Sequence, residues 1–100
     1  MIPMKFKLFN KNWTIRPSTD HELREEMGLC YINNLEIAYS MAYPTDELEH
    51  ILAHEIVHAI EQSLQLEMTE RRVDLFALGL LDLIKHNSHI VKYFQGDENE

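Results

Sequence analysis

Neither proline nor glycine interrupts residues 46–66, and this run constrains the fold more than any other stretch. It predicts a helix of about five or six turns. Thr45 offers a capping hydroxyl, and Asp46 and Glu47 place negative charge at the positive end of the helix dipole. The centre of the run, ILAHEIVHAI at 51–60, sets two imidazoles and a carboxylate among aliphatic residues. Polar groups in such a setting need partners, so they require an explanation.

The rest of the chain surrounds that helix with short elements. Lys5–Phe9 alternates polar and apolar residues, Asn10-Lys11-Asn12 supplies turn chemistry, and Trp13–Arg16 resumes the alternation up to Pro17. This reads as a hairpin with Phe6, Phe9 and Trp13 in its core. Residues 18–27 are polar and connect onward, with one helical turn expected around Asp20–Glu26. Gly28 opens a second hairpin, in which Leu29–Ile32 and Leu35–Tyr39 flank a two-residue turn at Asn33-Asn34. A second long helix is expected over 70–86. Thr69 caps it, and Met68 and Val73 stand at the spacing of a hydrophobic staple. Its residues are apolar nearly all round, the pattern of a buried helix. Strands followed by helices give an α+β class: a small antiparallel sheet of N-terminal hairpins packed on the first long helix and a second C-terminal helix.

His54-Glu55-Ile56-Val57-His58 has the form H-E-x-x-H. Residues i and i+4 of a helix stand one above the other, so both imidazoles can reach one metal ion. Zinc accepts neutral imidazole nitrogen. Glu55 projects beside such an ion, where it can take a proton from an activated water. Ile51, Leu52, Ile56, Val57, Ala59 and Ile60 keep the surroundings apolar, which strengthens electrostatic interactions. The plain alternative is a pair of histidines satisfied within a core.

A catalytic zinc site uses three protein ligands and one open position. Glu61 follows His54 by seven residues, a rise of roughly 10 Å that one ion cannot easily span. His50 has the same problem with His58. Both read as solvated residues or as supports to a ligand. Glu70 is the better third ligand, because a short connection folds the start of the second helix back onto the first. Asp74, one turn further on, either accepts from the distal nitrogen of a ligating histidine or pairs on the surface with Arg71 or Lys85. A third histidine in the H-E-x-x-H-x-x-G-x-x-H pattern is excluded, since Glu61 and Leu64 occupy its last two defined positions.

Composition narrows the function classes. Nine basic residues against 17 acidic ones give a net charge of −8, which lacks the basic footprint of a nucleic-acid or anionic-membrane binder. A single cysteine, Cys30, cannot close an internal disulfide. It reads as a small buried hydrophobe. The N-terminus has no apolar signal region, and the longest apolar run, LFALGLL, is too short to span a bilayer. A cytoplasmic protein is expected, with one domain over 1–96 and an acidic tail at 97–100.

The stretches ILAHEIVHAI and MTERRVDLFA resemble the small zincin-type metallopeptidases of the ImmA/IrrE family, especially short members found in phages and prophages. The resemblance runs from Leu29 to about Leu81. It implies zinc held by His54, His58 and Glu70, with Glu55 as general base. It also implies a sheet edge that binds peptide by strand addition, for which Leu35–Tyr39 is the candidate. The expected function is therefore a zinc-dependent metallopeptidase, in which activated water attacks a peptide carbonyl. The substrate would be a peptide or a protein such as a repressor. Transition-state stabilisation is expected from His86, His89, Tyr39, Tyr43 or Tyr93, with no choice among them. The alternative function is a non-catalytic zinc-binding or acidic interaction protein that inhibits a host factor.

Overall fold

The computed structural model describes residues 4–96. Its order is β1 (Lys5–Leu8), β2 (Lys11–Pro17), β3 (Gly28–Tyr31), β4 (Glu36–Tyr39), α1 (Thr45–Ser63), α2 (Glu70–His86) and α3 (Ser88–Phe94). The class is α+β, as expected. The acidic stretch at 97–100 lies outside the described residues.

The sheet is mixed, with strand order β1-β2-β4-β3. Both expected hairpins form as antiparallel pairs, but β2 and β4 join them in parallel, with Ile15 opposite Ile37. The expectation of a purely antiparallel sheet is corrected accordingly. So is the edge assignment. Leu35–Tyr39 is not an edge, because β4 lies between β2 and β3; the free edge on that side belongs to β3.

The turns also differ in detail. In the first hairpin Leu8 pairs with Lys11, which leaves Phe9 and Asn10 as the turn, at φ 50° and 63°. Two central residues with positive φ match the twist of the strands. Phe9 is therefore exposed rather than in the core, whereas Trp13 is buried and Phe6 stacks on it with ring centroids 5.7 Å apart. In the second hairpin Tyr31 pairs with Glu36 around a four-residue connection, Ile32–Leu35, in which Leu35 has φ 55°. Residues 18–27 form turns and no helix. His21 and Arg24 take positive φ there, which breaks any helical run.

Thr45 is the first helical residue of α1 and makes no cap, since Pro44 holds the cap position. The helix ends at Ser63, three residues before the expected limit of 66. Gln65 takes φ 57°, its N–H bonds to Gln62 O at 3.2 Å, and Leu66 N–H bonds to Glu61 O at 2.9 Å. That is a Schellman closure made without glycine. At α2 the cap forms as expected, with Thr69 Oγ1 accepting from Arg72 N at 3.2 Å. The short helix α3 is an addition to the expected elements.

Two cores result. Trp13, Ile15, Ile37 and Tyr39 pack from the sheet onto Leu48, Ile51, Leu52 and Ala59 of α1. Ala53 and Val57, on another face of α1, pack against Val73 and Ala77 of α2. Only those two residues of α2 are buried, and Leu75, Phe76, Leu78, Leu83 and Ile84 are exposed. The expectation of a buried second helix therefore fails. Among the described residues helix α2 is an outer layer, touched on its other side only by the short α3. No described helix is long and apolar enough to cross a membrane.

Candidate metal centre

The site grows from the two-sided packing of α1. Ile51 faces the sheet core, while Ala53 and Val57 face α2. Helical spacing places a stripe of His50, His54, His58 and Glu61 between those two faces. Each is therefore held at the seam where α1 meets its neighbours. On α2, Glu70 and Asp74 stand one turn apart on the exposed side of the seam beside buried Val73, and both carboxylates reach that stripe.

Glu70 bridges the two imidazoles. Its Oε1 lies 2.7 Å from His58 Nε2, and its Oε2 lies 3.1 Å from His54 Nε2. One donor atom from each of the three residues falls within 4.8 Å of the others. The distal nitrogens also meet carboxylates. His54 Nδ1 is 3.3 Å from Asp74 Oδ1, and His58 Nδ1 is 3.4 Å from Glu61 Oε1. Of the two readings of Asp74, the contact with His54 is the one formed; Lys85 pairs instead with Glu49. His50 Nε2 approaches the same Asp74 oxygen at 3.0 Å but makes no hydrogen bond with it.

Glu55 is buried, 6% exposed, although it carries a carboxylate. Burial pushes its carboxyl up to about 7; His54 pulls it down, and Glu70 and Glu26 push it further up. The strand β3 presses directly on it. A Cβ placed on Gly28 would lie 3.1 Å from both Glu55 Cγ and Ile51 Cγ2, and 3.2 Å from Ala38 O. Only glycine allows the backbone this close. Glu55, Gly28, His50, His54, Glu70, Asp74 and Glu26 line a pocket of about 150 Å³. That is below the ≈ 300 Å³ typical of small-molecule sites, so it admits a reacting group rather than a whole ligand.

The donor set fits zinc: two imidazole nitrogens and a carboxylate, with a further carboxylate behind each imidazole. Glu61, set aside as a ligand beside His54, takes the supporting place expected as one of its two readings, against His58 three residues away. That i,i+3 spacing was the available signal. Glu26 had none, because only the folding of 18–27 brings it to the pocket. Tyr39, Tyr43, His86, His89 and Tyr93 do not line this pocket. Tyr39 is buried in the sheet core, and His86 and Tyr93 are exposed. Cys30 donates to Gln62 Oε1 at 3.7 Å and takes no part.

Compared with known protein families, curated proteins and solved structures, the chain matches none.

Proposed function

We propose that this chain is a zinc-dependent peptidase, with His54, His58 and Glu70 as metal ligands and Glu55 as the general base. The observation that carries this reading is the convergence of Glu70 on both Nε2 atoms beside a buried carboxyl in the same pocket. When bound, zinc supplies Lewis acidity toward a peptide carbonyl and toward water. Glu55 accepts a proton from water as it adds to the carbonyl carbon, then delivers it to the amide nitrogen as the C–N bond breaks. Asp74 and Glu61 hold His54 and His58 through their Nδ1 atoms and favour the tautomer whose Nε2 carries a lone pair. A carboxyl poised near neutrality suits a group that both takes and gives a proton.

The substrate is a peptide or an unfolded segment of a protein. A chain laid along the free edge of β3 would pair by strand addition and pass the pocket at Gly28. The resemblance to ImmA/IrrE peptidases points to a repressor-like target and to a cytoplasmic setting.

Hydrolysis of quenched fluorescent peptides by the zinc-loaded protein tests the reading. Glu55→Gln is expected to lower kcat by about 10²–10⁴-fold with zinc content unchanged. Full activity in that variant sinks the mechanism.

A further inference from the structure

The pocket beside the metal centre holds one charge that the proposed chemistry leaves over. Four carboxylates line it, Glu26, Glu55, Glu70 and Asp74, and no lysine or arginine does. Three of the four are committed. Glu70 lies between His54 and His58, Asp74 lies between His50 and His54, and Glu55 is the proposed base. Glu26 is exposed, and its side chain has no hydrogen-bond or ion-pair partner among the described residues. Arg24, two residues away, does not pair with it.

The backbone fixes where this charge sits. Glu26 N–H donates to Leu23 O at 2.9 Å, and Met27 O accepts from Ser40 N at 3.0 Å. Leu23 is itself buried. Glu26 and Met27 therefore stand at the rim of the pocket, just before β3 begins. A second observation shows that this pocket receives something. Glu55 is 6% exposed, yet its carboxyl bonds to no described residue and lines the pocket. A carboxyl buried without a partner is unfavourable, so what it meets comes from outside the chain.

A peptide paired with the free edge of β3 passes Gly28 and continues past Met27 and Glu26. A side chain beside its scissile bond then lies along Met27, which is 50% exposed, and Ile51, both on the pocket wall. Lysine and arginine cover an apolar wall with their stems and carry the charge at the tip. Here the tip meets Glu26, whereas an acidic side chain in the same place would face four carboxylates. We infer that Glu26 selects substrates that carry a lysine or arginine next to the scissile bond. The inference rests on the peptidase reading and adds the chemistry of the substrate to it.

Quenched fluorescent peptides with lysine, glutamine or glutamate on either side of the scissile bond test it with the zinc-loaded protein. The expected kcat/KM is about 5-fold higher for lysine than for glutamine, and lowest for glutamate. Glu26→Gln should abolish the lysine preference, and Glu26→Lys should turn it toward glutamate. Glu25→Gln, which alters an exposed carboxylate outside the pocket, should keep the lysine preference. No preference in the native protein, a preference that survives Glu26→Gln, or one that Glu25→Gln abolishes equally overturns the inference. If no peptide is cut, the peptidase reading falls and binding decides the subsite. By fluorescence anisotropy, dye-labelled lysine peptide should then bind more tightly than its glutamine counterpart to the native chain and to Glu25→Gln, but not to Glu26→Gln. Equal binding of the two peptides to the native chain overturns it.

Discussion

Glu61 reaches back one turn to His58. Its Oε1 lies 3.4 Å from His58 Nδ1, while its Oε2 accepts from Met68 N at 3.3 Å. One buried carboxylate thus ties a proposed ligand to the connection that returns the chain toward Glu70. Glu61→Gln keeps the shape and removes the charge. Zinc affinity, measured by competition with a chelator, should fall by about 10-fold, with little change in melting temperature.

Gly28 tests the packing of β3 on α1. Gly28→Ala would put its Cβ 3.2 Å from a backbone oxygen, that of Ala38, and 3.1 Å from Glu55 Cγ. Overpacking of this kind costs about 1–3 kcal/mol. Urea unfolding should show a loss of that size, and Glu55 should be displaced along with it.

Acid sensitivity should trace to Glu22. Arg16 grips its carboxylate at 2.9 and 2.8 Å, and the Tyr31 hydroxyl donates to it at 2.6 Å. These bonds hold its carboxyl well below the ordinary value of 4.5. A carboxyl lowered by folding adds stability at neutral pH, and that stability declines as the pH falls below 4.5. Glu22→Gln should therefore lower the urea midpoint at neutral pH and flatten its decline in acid. An acid profile identical to that of the native protein would contradict the assignment.

Cys30 should be inert. Burial, with Glu55 and Glu61 nearby, pushes its thiol up to about 12, and the thiolate is the reactive form. Alkylation at neutral pH should be slow in the folded protein and fast in denaturant. Rapid labelling of the native chain would contradict the packing of β3 on α1.

Local geometry was legible in part. Thr69 caps α2 as its place before a helical run implies, and H-E-x-x-H on a long helix sets its own spacing, whereas the hydroxyl of Thr45 makes no cap because Pro44 takes that position. What depended on neighbours was not legible. The parallel pairing of β2 with β4 is a long-range choice with no local signal. The apolar character of Leu75, Phe76 and Leu83 suggested burial, yet all three are exposed among the described residues. The end of α1 was misplaced because Gln65 adopts a conformation more typical of glycine.

The central claim is that His54, His58 and Glu70 hold a metal. Elemental analysis of the protein after incubation with zinc and removal of excess tests it most directly. The account predicts about one zinc per chain, with clear loss in His54→Ala, His58→Ala and Glu70→Ala and retention in Glu55→Gln. No bound zinc in the native chain, or equal zinc in all four variants, would contradict it.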